Sequence, residues 1–233
     1  LWFDERSFFF LLFLTFFFTT AVEASATNAF LARRIIPFPP NFKISSAYIT
    51  IPGKYTTIVQ NSVVKETKDR FDGISYKDVV SALSSVKEIE MPDDEVLIDI
   101  IPDKFILEDG KTVEDPVGSY CSSFTLMAQL ILADKDYIKK ITNICRRAGI
   151  EIDGIVPITL AERNLVLDGS EMNDNVMILD IGAGNTEIGI FKGNSFIFND
   201  TLPLGGDNIT SDIAYVLNIS KEEADKLKRQ YGL

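Results

Sequence analysis

The sequence predicts a mixed α/β chain, and three observations carry that reading. Strand and helix signals alternate from Ser46 onward. A β-branched run at 176–180 enters a glycine loop and leaves it as a second strand, and two amphipathic helix patterns follow. The 233 residues suit one large domain or two modest ones.

Composition narrows the chemistry. Hydrophobic residues make up 46% and charged residues 24%, the profile of a folded protein rather than a disordered one. Lys and Arg number 23 against 34 Asp and Glu, a net charge of −11, so no basic excess exists to displace counterions and no nucleic-acid partner is expected. Histidine is absent, which removes Ser-His-Asp and Cys-His catalysis and His-ligated metals together. Cys121 and Cys145 stand alone, which excludes a zinc site by spacing and fits a reducing compartment.

Residues 1–41 differ from the rest. Eight of the first 18 residues are Phe, and the apolar run 8–18 is broken only by Thr15. It is shorter than the roughly 20 residues that span a bilayer. One reading is a head foreign to the domain, from mis-framed or wrongly joined translation. The other is a signal peptide with Ala24-Ser25-Ala26 as its cleavage pattern, against which Asp4 and Glu5 precede the run. The sequons at Asn199, Asn208 and Asn218 matter only in a secreted chain and are read as chance.

Along the body, 48–51 and 55–64 read as strands around the Pro52-Gly53 turn. Ser75 starts a helix with Asp78 at its third position and Val79, Val80, Leu83 and Val86 on one stripe. A β-branched run at 95–101 is predicted to end at Pro102, with a separate short strand at 105–107 and a turn at 115–118. Residues 123–133 form a longer strand. Asp134 caps a helix that presents Ile138, Ile141, Ile144, Cys145 and Ala148, and Gly149 stops it. A strand at 152–156 and a helix through Leu160, Asn164 and Leu167 lead to a polar stretch, 168–175, that reads as a hinge.

The chemistry sits at 176–201. Val176-Met177-Ile178-Leu179-Asp180 is a buried-strand pattern ending in a carboxylate. It enters Gly182-Ala183-Gly184-Asn185-Thr186, and strands at 187–191 and 195–201 follow around Gly193-Asn194. Glycines let backbone N–H groups converge on phosphate oxygens, and a strand-end Asp can hold Mg²⁺ through water beside them. A dinucleotide fingerprint fails because this loop opens a strand. Gly110-Lys111-Thr112 fails as a P-loop because Phe105 stands where a glycine is needed. The plain alternative is a hairpin turn with Asp180 solvated at its edge. Downstream, Gly205-Gly206-Asp207 precedes a helix with Ile209, Ile213 and Val216 on one face, and Ser220 with Glu223 forms a capping box for a second helix. That helix places Asp225 and Lys228 at i, i+3, where the plain reading is a solvated ion pair. These downstream features favour the phosphate reading.

The order Ile178 to Thr186, a hairpin, then Gly205-Gly206 and Ile209-Thr210-Ser211-Asp212-Ile213-Ala214 resembles the second phosphate segment of the actin-like ATPase superfamily, a ribonuclease-H-like fold. The Thr-x-Asp-Ile-Ala helix is similar to the bacterial cell-division FtsA family. Ile101-Pro102-Asp103-Lys104-Phe105, Asp115-Pro116-Val117-Gly118 and Arg147-Ala148-Gly149-Ile150 resemble that family's inserted SHS2 interaction subdomain. The resemblance covers roughly 43–233.

It implies a partial actin-like α/β fold: a non-homologous head at 1–41, an SHS2-like α+β subdomain at 42–150, a connecting strand, helix and hinge at 151–175, and the start of a second actin-like domain at 176–233. It implies ATP and Mg as cofactors, with Asp180 near the metal through water. Gly182, Ala183, Gly184, Asn185, Thr186, Gly205 and Gly206 would lie at the phosphates, and Asp225 and Lys228 near the nucleoside. Asp225 stands where the family usually has Glu, and Ala183 replaces a frequent glycine.

The implied role is a scaffold at the inner face of the cell membrane that tethers the FtsZ ring, recruits later division proteins and self-associates into filaments. The family's first phosphate loop, later adenosine loop and C-terminal amphipathic membrane helix match no stretch of these residues. At most weak ATPase activity is expected of the parent and none of this chain. A pilus-assembly ATPase homologue and a secreted, non-catalytic interaction module are the alternatives. The SHS2-like segment and Thr210-Ser211-Asp212 weigh against a cell-shape homologue.

Overall fold

A computed structural model describes residues 45–67 and 73–232, so both readings of the head fall outside the described residues. The elements, in order, are β1 (Ser46–Ile51), a 3₁₀ turn (Gly53–Tyr55), β2 (Thr56–Glu66), α1 (Tyr76–Ser85), β3 (Glu95–Leu107), β4 (Thr112–Val113), β5 (Ser123–Asp134) and α2 (Lys135–Ala148). There follow β6 (Glu151–Pro157), α3 (Ile158–Val166), a second 3₁₀ turn (Glu171–Asn173), β7 (Asn175–Ile181), β8 (Thr186–Lys192), β9 (Ser195–Leu202), α4 (Gly206–Leu217) and α5 (Lys221–Tyr231).

Three sheets result. β1 and β6 form a parallel pair, β2-β5-β3-β4 an antiparallel sheet, and β7-β8-β9 an antiparallel meander. The parallel pair spans position 150, because β1 lies before the antiparallel sheet in sequence and β6 after it. Caps follow local chemistry. Asp78 accepts from the Ser75 amide at 2.9 Å, Asp134 Oδ1 accepts from the Tyr137 amide at 2.6 Å, and Gly149 ends α2 in the left-handed region at φ 71°.

Two expected boundaries move. Tyr55 belongs to the 3₁₀ turn rather than to a strand, because its amide donates to the Pro52 carbonyl at 3.1 Å, and its ring stacks on Tyr137 of α2 at 3.8 Å. Pro102 does not end a strand. β3 runs through it, helped by a register shift between Pro102 and Lys104 and by an open flank, since β4 pairs only with Phe105 and Ile106. A proline lacks one ladder donor, and an edge or bulge is where that loss is tolerated.

β5 is the hub. Phe124, Leu126 and Ala128 pack with Ala82 of α1 and with Val86 just after it. Ile131 joins Ile178, Phe191 and Phe196 of the meander, and Ala133 joins Ile49, Ile51, Tyr137, Ile141 and Cys145 around the parallel pair. Successive strand side chains point to opposite faces, so one strand serves separate cores. The predicted hinge at 168–175 is laced by hydrogen bonds. Asp168 Oδ1 accepts from the Ser170 and Glu171 amides at 2.8 and 3.0 Å. The buried Arg163 guanidinium donates to the carbonyls of Met172 and Gly193 at 3.0 and 2.8 Å. Among the described residues no helix is long and apolar enough to cross a membrane.

Candidate phosphate site

β7 and β8 pair from Asn175–Lys192 up to Ile181–Thr186, which fixes 182–185 as the hairpin connection with Asp180 opposite Glu187. The Gly182 amide closes the loop on the Asn185 carbonyl at 2.9 Å. The amides of Ala183, Gly184 and Asn185 have no hydrogen-bond partner among the described residues. Successive N–H groups left without protein acceptors on a turn are an arrangement able to take an anion.

The loop is backed by the start of α4. The Gly206 amide donates to the Gly182 carbonyl at 2.9 Å, and the Asp207 amide to the Ala183 carbonyl at 2.7 Å. The Gly205 amide donates to Asn208 Oδ1 at 2.9 Å, and Thr186 Oγ1 to the Leu204 carbonyl at 2.7 Å. The first amides of α4 are therefore spent on protein acceptors instead of facing a ligand. Gly205 is required by contact, since a Cβ there would lie 2.5 Å from the Ala183 carbonyl oxygen. Gly184 has open space around it.

Lys228 reaches this same helix start. Its Nζ donates to the Gly206 carbonyl at 3.0 Å and to Thr210 Oγ1 at 2.7 Å, and it pairs with Asp225 Oδ1 at 3.3 Å. Asp225 also pairs with Arg229 Nε at 2.7 Å, and these cations hold its carboxyl below the usual range. Lys228 thus fastens α5 onto α4 behind the loop.

Glu162 of α3 and Glu187, which sequence reasoning did not single out, each stand near Asp180. Burial, then the neighbouring Asp180 charge, pushes Glu162 up to about 8. Its Oε2 is buried without a hydrogen-bond partner among the described residues. Glu187 is buried too. Burial raises its pKa, opposed by donation to its Oε2 from the Gly53 amide and Thr201 Oγ1, both at 2.8 Å. The period-2 pattern Glu187, Gly189, Phe191 carried the signal for Glu187, because it shares the inward face of β8 with Phe191. Glu162 had no such signal. Only the packing of α3 against β7 and β8 brings it to Asp180.

The carboxylates suit a hydrated divalent cation. Positive charge nearby would relieve both the buried Glu162 oxygen that lacks a partner and the mutual repulsion of the carboxyl groups. Among the described residues no three acidic, Cys or His side chains converge on one point, so a cation here would be held largely by water and ligand oxygens.

The family model described as Cell division protein FtsA matches residues 177–233, and that for the SHS2 domain inserted in FtsA matches 53–132. Cell division protein FtsA of Bacillus subtilis (strain 168) is 30% identical over 201 residues, covering 86% of this chain and 45% of the relative. FtsA of Escherichia coli (strain K12) is 25% identical over 190 residues, covering 82% of this chain and 45% of the relative. The chain thus spans about half the length of the curated relatives it matches. In structure it is similar to a PilM-PilN type IV pilus biogenesis complex, with TM-score 0.57 and 18% identity over 89% of this chain and 56% of that one, a likeness of fold alone. The sequence matches and the glycine hairpin agree in place and order: the chain resembles FtsA over most of its length, and its actin-like ATPase fold carries the SHS2-matched segment.

Proposed function

We propose that the 182–186 hairpin is one wall of a Mg·ATP site in a cell-division scaffold. The supporting observation is the run of three unpartnered amides, Ala183 to Asn185, that follows the strand bearing Asp180. The amides would take β- and γ-phosphate oxygens, and Asp180 would orient waters of the magnesium. Gly205 and Gly206 would shape the loop from behind, and Lys228 with Asp225 would hold α5 at the nucleoside side. Magnesium would supply charge neutralisation to the phosphates.

At the level of the cell, the reading is a protein on the inner face of the membrane that tethers FtsZ, recruits later division proteins and forms filaments. The sequence matches to FtsA favour division over pilus assembly, which fold likeness alone suggests. Amide resonances of Ala183, Gly184 and Asn185 should shift on titration with Mg·ATP and stay still in Asp180→Ala. Unmoved resonances in the parent chain at millimolar ligand would refute the site. Co-sedimentation with assembled FtsZ tests the partner.

A further inference from the structure

We infer that the phosphate hairpin and the SHS2-matched segment open and close as one cooperative unit, joined by a polar seam along β9. Four of the eight β9 residues are bonded across it. Ser195 Oγ donates to Asp103 Oδ1. Gln129, 1% exposed, is paired both ways: its Nε2 donates to the Phe196 carbonyl at 2.8 Å, and its Oε1 accepts from the Phe196 amide at 2.7 Å. Asn199 Nδ2 donates to Thr56 Oγ1 at 2.8 Å, and Thr201 Oγ1 accepts from the Lys54 amide at 3.0 Å. Every one of these partners lies within 53–132, the SHS2-matched span.

The seam continues to the loop itself. Glu187 directly follows Thr186, and its Oε2 receives the Gly53 amide and the Thr201 hydroxyl together. There is no slack at this point, because a Cβ on Gly53 would lie 2.6 Å from the Asp200 backbone nitrogen. Ile131 of β5 packs with Phe191 and Phe196 beneath the polar bonds. A buried donor or acceptor that loses its partner is costly, so the seam opens as a whole or stays shut. A ligand that steadies 182–186 therefore also steadies the 53–56 turn and β2. That transmission rests on the nucleotide reading, whereas the ligand-free coupling does not.

Amide hydrogen exchange of the full chain tests both parts. Gln129→Leu keeps the volume and removes both bonds to Phe196. Exchange should rise roughly tenfold or more in 186–202 and, by a similar factor, in 56–66. Ser195→Ala, a milder change suited to the case where Gln129→Leu fails to fold, should show the same paired rise at smaller size. Faster exchange confined to the hairpin, or none in either variant, overturns the coupling. With Mg·ATP, protection should appear at 183–187 and at 53–58 in the parent chain. Protection at 183–187 alone overturns transmission, and no protection at 183–187 overturns the nucleotide reading instead.

Discussion

β5 is buried without interruption from Ala128 to Ala133, whereas β7 buries Ile178 and leaves Met177, Leu179 and Ile181 exposed. Both strands are apolar, so composition does not separate them. The number of covering layers does. β5 has α1 on one face, and the meander and α2 on the other. β7 is an edge strand with α3 on one side only. Its outer face continues through Phe198 and Leu202 as an exposed apolar surface.

Substitutions can break or sharpen this contrast. The largest effect is expected from Leu130→Ala on β5, where a fully buried side chain is removed. A loss of about 2–5 kcal/mol is expected in urea unfolding, against less than about 1 kcal/mol for Leu179→Ala on β7. Equal losses would show that layers do not set the difference.

Gly205→Ala should come next, at about 1–3 kcal/mol, because the new methyl meets the Ala183 carbonyl with no room to move. Gly184→Ala, three positions after Ile181 and open to solvent, should be nearly neutral in the same urea unfolding.

Glu162 gives a pH-dependent effect on the inner side of the meander, where it faces Asp180 and Glu187. Its folded pKa lies above the ordinary carboxyl value, so the folded state favours the proton. Its contribution is complete below the unfolded pKa and is lost as pH rises through about 8. In chelator-treated buffer, the melting temperature should fall between pH 5 and pH 8 by more in the parent chain than in Glu162→Gln, whose side chain cannot ionise (pH range set by the ordinary and raised carboxyl values, about 4.5 and about 8). Parallel curves would remove Glu162 from the buried cluster.

A small effect on stability is also expected from Leu179→Ser. It should change unfolding by less than about 0.5–1 kcal/mol while reducing self-association in sedimentation, because it removes part of an exposed apolar face.

Much of this was legible along the chain. Ser75, Asp134, Gly149 and Ser220 mark helix ends by chemistry that acts within four residues, and the loop at 182–186 was visible because glycines and a strand-end Asp stand together. The helix stripe Ile209, Ile213, Val216 was less informative. Ile209 and Val216 are 55% and 76% exposed, since periodicity defines a face but not what covers it. The strand continuing through Pro102 was also hidden, because an open flank and a bulge are properties of pairing.

The sequence by itself determined the alternation of elements, the caps, the glycine hairpin and the placing of Asp180 beside it, all of which depend on neighbours a few residues apart. Only the tertiary structure decided that Glu162 comes close to Asp180, that Gly206 and Asp207 spend their amides on the loop, and that Gln129 grips Phe196. Gln129 and Phe196 are 67 residues apart. Such contacts are fixed by how sheets stack and helices dock, and no local pattern encodes the partner.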